Sequence, residues 1–311
     1  MTEAVLAALQ QWVLFLGTTL VVGCMAWRVF IAPRAVLLLA AGQDSALASI
    51  ERRVAGIGLL VTVLLLAAWG LRLVVQVMGF RDPFVPLWDD VSLLLFDLFW
   101  GTVWMAQGAV LLLLLAAFWR LRAERAFDAR RVPPLWWGAA ALTLGLVTTL
   151  ALSSHAMGVE RARSVVVAAD GLHALAAGTW IGSLAVILTA GRPAAPTDSD
   201  VAAFGAQLRS FSPMALTSGF VLVLMGTALA WTHVQSFANL WGTTYGRLLA
   251  SKVGVAALVF GVGFWNWRGG LAISHRPEGA ATVWRRASGE VLLAAGVLLL
   301  TAVLVHATKP E

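Results

Sequence analysis

One cysteine, Cys24, stands among 311 residues. That excludes an internal disulfide, a multi-cysteine zinc or iron–sulfur centre and paired-thiol redox chemistry. Charge is scarce too: Asp, Glu, Lys and Arg make up 12% of the chain, against 60% hydrophobic residues and a mean hydropathy of +0.84. Such a chain cannot cover a water-soluble globule, and the solvent of most of its side chains is lipid. There is no GxxxxGK[ST] phosphate loop, so the chain brings no ATP site of its own, and neither CxxC nor HExxH occurs. An ATP-driven pump and a zinc protease are disfavoured accordingly. The net charge of +6 does not indicate nucleic acid, because the 22 basic residues sit mainly in short loops beside apolar runs.

Eight apolar runs are long enough to cross a bilayer: Val5 to Phe30, Val54 to Gly79, Val91 to Trp119, Pro134 to Ser153, Val165 to Ala190, Pro213 to His233, Arg247 to Trp267 and Ser288 to His306. The expected fold is an all-α integral membrane protein, a bundle of eight transmembrane helices. Residues 1–140 would hold helices 1–3 and a basic loop, and residues 141–311 would hold helices 4–8. The first run opens Met-Thr-Glu-Ala without a basic segment, and reads as a retained span rather than a cleaved signal. Alternate connections carry 14 Lys and Arg on one side and 5 on the other, with Arg28, Arg72 and Lys252 inside spans. The positive-inside rule then places both termini outside, which is the periplasm if the membrane is a bacterial inner one.

Trp12, Trp88, Trp119, Trp136, Trp137, Trp231, Trp241 and Trp267 fall near span ends and read as interfacial anchors. Ser212 before Pro213 reads as the N-cap and first turn of helix 6. The preceding Asp200 to Phe211 would be a short helix on the inner leaflet.

On this topology His155, His173, His233 and His306 all lie in the outer half, and only His275 lies in an inner loop. Four helices would aim imidazoles at one outer cavity, and neutral imidazole is a good ligand for copper, zinc, nickel and iron. His173 stands about 12 Å into helix 5, where an imidazole needs a partner or a task. Asp170, one turn earlier on the same face, is placed to orient it. Asp170, His173 and Trp180 form one stripe of that helix. Met157 forms a His-x-Met element with His155, joining imidazole to a thioether of the kind that selects Cu(I).

Arg72 and Asp97 lie at similar depth in helices 2 and 3, about 10 Å and 9 Å from the outer end, and are expected to form an ion pair. Lys252 is expected to snorkel outward. Glu290 in helix 8 and Asn266 in helix 7 share an inner depth, suited to a polar contact or a release point.

Five segments resemble the copper resistance D (CopD) family of bacterial inner-membrane proteins. They are Ser153-Ser154-His155-Ala156, Asp170-x-x-His173 followed by Trp180-x-Gly182, Arg209-x-Phe211-Ser212, Tyr245-Gly246-Arg247-Leu248-Leu249-x-x-Lys252, and Gly289-Glu290. They occur in order over about residues 145 to 306. The family's Gly-His-Ala step reads Ser154-His155-Ala156 here. The resemblance implies copper import from periplasm to cytoplasm, often with a separate periplasmic copper-binding partner of the CopC type. Under it the metal residues are His155, His173, His233, His306 and Met157, with copper as Cu(I) or Cu(II). Arg72, Asp97, Lys252 and Glu290 are candidates for an intramembrane ion pair or pathway. Two other classes stay open: a membrane protein holding haem iron between two histidines, and a copper sensor or scaffold that transports nothing.

Overall fold

The computed structural model describes residues 2–40, 43, 45–124, 128, 130–154, 162–191, 197–234, 237–274 and 277–307. Lipid offers the backbone no hydrogen-bond partners, so a chain this apolar must satisfy each N–H and C=O within its own segments. Among the described residues the result is helix without strand. Among the described residues eight helices have the length and apolar composition of membrane spans. They are α1 (Glu3–Leu38), α2 (Ser45–Phe80), α3 (Phe99–Ala123), α4 (Pro134–Leu152), α5 (Arg163–Ala190), α6 (Asp198–Val234), α7 (Thr244–Ile273) and α8 (Pro277–Val305). Even α4, at 19 residues, reaches about 28 Å at 1.5 Å per residue, enough for the hydrocarbon core.

Helix α1 is the centre of the bundle and packs on α2, α4, α5 and α8. In its most apolar window 72% of residues are buried, against 11% in α6 and in α7. Small residues permit this. A Cβ on Gly182 of α5 would collide with the Thr19 carbonyl of α1, and one on Gly23 of α1 would collide with the Gly182 backbone. The two helices therefore touch backbone to backbone, as small-residue crossings in membranes do. Both contain a π-turn here, Trp27–Ile31 in α1 and Gly178–Gly182 in α5.

The π-turn of α1 seats a polar knot at one end of the bundle. Arg28 is fully buried; its Nε lies 2.6 Å from Glu51 Oε1 of α2, and its Nη2 donates to the carbonyls of Asp128 and Arg131. Beside it the Trp27 indole donates to Gln207 Oε1 of α6 at 2.7 Å. The knot ties α1, α2, α6 and the α3–α4 connection together.

Three sequence expectations are corrected. The run from Val91 is not one helix: a helix Leu87–Ser92 and a π-turn Leu93–Asp97 end at Leu98, which is extended (φ −97°, ψ 142°), and α3 starts at Phe99. Ser212-Pro213 does not open helix 6, because α6 runs unbroken from Asp198 and Pro213 lies inside it. Val201, Ala203, Phe204, Ala206, Leu208 and Phe211 are buried, so this stretch packs on protein instead of lying on a leaflet. That packing carries the helix past the missing proline N–H. Trp136 is no interfacial anchor: it is 1% exposed and meets Phe118 edge-on at 6.2 Å. Trp88, Trp119, Trp137, Trp231, Trp241 and Trp267 are exposed, as anchors should be. Trp12 instead donates to the Ala295 carbonyl of α8.

Candidate metal and cation pathway

Helices α5 to α8 enclose a polar column in two levels. The first is built on His173. Its Nδ1 lies 3.1 Å from the Leu222 carbonyl oxygen of α6. A carbonyl only accepts, so Nδ1 must carry the proton and Nε2 keeps its lone pair. Gly226, one turn further along α6, allows this approach: a Cβ there would stand 2.9 Å from His173 Cε1 and 3.3 Å from Nδ1. An imidazole fixed through one nitrogen to a backbone carbonyl is the usual preparation of a metal ligand at the other.

Two charges flank this level. Lys252 of α7 is half-buried, and its ammonium acts electrostatically on Asp170 and on His173. Asp170 stands one turn before His173 on α5, as its spacing requires. The imidazole is nevertheless oriented through Nδ1 by α6, and the neighbouring charge that Asp170 answers is Lys252.

The second level lies seven residues further along α5, about 10 Å deeper. Trp180 there packs on Phe260 of α7, ring centroids 4.6 Å apart, with Gly219 of α6 alongside. Below it Glu290 of α8 is 3% exposed. Its Oε2 accepts from Asn266 Nδ2 at 3.0 Å, and the Trp180 ring lies beside the carboxylate. Gly263 makes room for both, since a Cβ there would be 3.0 Å from Glu290 Oε1 and 3.1 Å from Trp180 Cζ2. The contact between Asn266 and Glu290 expected from equal depth is therefore present.

His155 and Met157 are outside the described residues, as is His275; His233 falls in the last turn of α6 with its side chain outside the description. His306 ends α8, exposed, with Nδ1 2.8 Å from the Ala302 carbonyl of its own helix. Among the described residues no group of three or more His, Cys, Asp or Glu is placed to hold a metal ion. Val234, Tyr245, Leu249 and Leu304 do cluster, which draws the ends of α6 and α8 and the start of α7 together at the His306 end.

Arg72 and Asp97 do not pair. Asp97 is exposed in the π-turn before α3, whereas Arg72 has Nη1 3.4 Å from Gln107 Oε1 and its guanidinium 5.8 Å over the Trp100 ring. The break at Leu98 takes Asp97 out of the run of α3, and aromatic faces replace a counter-ion. Sequence reasoning missed Leu222, Gly226 and Gly263, which act through a carbonyl or an absent Cβ. It also missed Glu51, whose only signal was a carboxylate directly before Arg52 and Arg53 where an apolar run begins.

The architecture is that of a polytopic helical membrane protein whose last four helices surround buried ionisable groups. Residues 205–304, spanning most of α6, all of α7 and most of α8, match the family described as copper resistance protein D, CopD. Over those helices the chain is similar to that family. It is similar to the copper transport protein CutJ of Bacillus subtilis (strain 168), at 26% identity over 258 residues, covering 79% of this chain and 45% of that relative. The chain thus spans about half the length of the curated relative it matches. No solved structure matches it.

Proposed function

We propose that this protein carries copper ions across a bacterial inner membrane, from periplasm to cytoplasm, and that His173 is a ligand on the way. The observation that carries this reading is the His173–Leu222 hydrogen bond, which fixes the imidazole and leaves Nε2 for a metal. The family match and the name of the similar relative supply copper as the ion. On the sequence topology His155, Met157, His233 and His306 fall on the outer side and would receive copper there, from a separate partner of the CopC type. Asp170 and Lys252 set the charge around His173. The positive-inside rule supports an orientation with both termini in the periplasm.

The test is a visible spectrum and elemental analysis of the same detergent-purified sample, followed by cellular copper accumulation. Stoichiometric copper without a Soret band is expected, with His173→Ala losing bound copper and cellular uptake while melting as wild type does. Iron with a Soret band would replace copper transport by haem binding. Copper bound equally by wild type and His173→Ala would remove His173 from the site.

A further inference from the structure

Glu290 is a carboxylate in the middle of an apolar helix, 3% exposed. Its hydrogen-bond partner, Asn266, is a neutral donor, and the Trp180 ring lies beside it. Among the described residues the ion pairs are Arg28–Glu51 and Arg81–Asp90, and no cationic side chain pairs with Glu290. Lys252 on α7 and His173 on α5 belong to the level above. Arg268 on α7, Arg209 on α6, and Arg285 and Arg286 on α8 are exposed, while Arg28 on α1 is committed to Glu51. A carboxylate withdrawn from water without a positive charge is costly, and neutral hydrogen bonds offset only part of that. The site therefore calls for a cation of its own: a proton at rest, and the cargo when it arrives. Trp180, tilted against Phe260, lies on α5 between the levels of His173 and Glu290 as an apolar separator.

We propose that Glu290, held by Asn266 beside the Trp180 ring, is a proton-binding station that exchanges its proton for the metal ion passed inward from His173. The cargo in this statement rests on the copper reading above. The carboxylic O–H breaks as the ion takes its place, the proton leaves to water, and nothing is oxidised or reduced. The exchange keeps a positive charge beside the carboxylate at each stage, which is what the absence of a basic partner among the described residues requires. Asn266 holds the carboxyl group in place through both states.

The experiment is copper titration of the purified full-length chain by calorimetry in buffers of different protonation enthalpy. Infrared spectra of the copper-free protein accompany it, read for the C=O stretch of a buried carboxylic acid. Wild type is expected to show that acid band, and Glu290→Gln to lose it while still binding copper through His173. Glu290→Gln should release about one proton fewer per copper, and Glu290→Asp should restore the release. Equal proton release by wild type and Glu290→Gln overturns the exchange, and an acid band unchanged in Glu290→Gln overturns protonation at rest. If wild type binds no copper, the copper reading and the exchange fall together; copper bound with equal proton release fells the exchange alone.

Discussion

Replacing Gly226 by alanine adds one methyl group against the His173 ring and changes no ligand. The new Cβ would stand 2.9 Å from Cε1. Carbon atoms settle at about 3.5 to 4.0 Å, so the ring must withdraw by roughly 0.6 to 1.1 Å. His173 Nδ1 now lies 3.1 Å from the Leu222 carbonyl, one turn away on the same helix. A withdrawal of that size takes the pair beyond about 3.5 Å, and the hydrogen bond is lost. Loss of such a partner behind a metal-binding histidine costs about 10- to 100-fold in affinity, or about 1.4 to 2.7 kcal/mol. The assay is competition titration of copper against a chelator, with thermal melting as the control. Folding should hold, since alanine suits a helix interior better than glycine. Copper affinity unchanged in a well-folded Gly226→Ala would refute the argument that Leu222 prepares His173.

Two further outcomes test the frame around the column. Arg28→Ala leaves the Glu51 carboxylate half-buried without its guanidinium and also releases the carbonyls of Asp128 and Arg131, so stability should fall by about 3–5 kcal/mol. Thermal unfolding in detergent measures it, and the paired change Arg28→Met with Glu51→Leu should recover most of the loss; an unchanged melting point for Arg28→Ala would contradict the role given to the knot. On a Cys24→Ser background, Phe84→Cys should react with an impermeant maleimide in intact cells and Glu124→Cys only after permeabilisation, both positions being exposed. The reverse pattern would invert the orientation.

The spans were legible in the sequence because a bilayer demands long apolar runs, and each of the eight runs contains the body of a helix that forms. The contact between Asn266 and Glu290 was legible for a related reason, as depth along a straight helix is simple counting. What failed were judgements about faces and breaks. Arg72 and Asp97 are separated by the turn at Leu98, and nothing in the apolar run Val91 to Trp119 announces that turn. Pro213 looked like a helix start because in water it usually is one, whereas here the buried residues before it keep the helix going. Trp136 looked interfacial by position and is buried by packing against Phe118. His173 and Asp170 share a helix face, yet the partner of Nδ1 comes from another helix through a backbone carbonyl, a group identical at every position of a sequence.

The sequence by itself determined that this chain is made for a membrane, with eight runs long enough to cross it and a few ionisable groups within them. The reason is thermodynamic: a backbone in lipid must close its own hydrogen bonds, so length and hydropathy decide the element. Tertiary structure alone decided which helix lies at the centre and what each buried polar group touches. Lipid tails are as apolar as leucine, so burial against protein leaves little trace in the hydropathy of a helix face. The decision passed instead to close packing: Gly23 against Gly182 brings α1 to α5, Gly226 admits His173, and Gly263 admits Glu290 and Trp180.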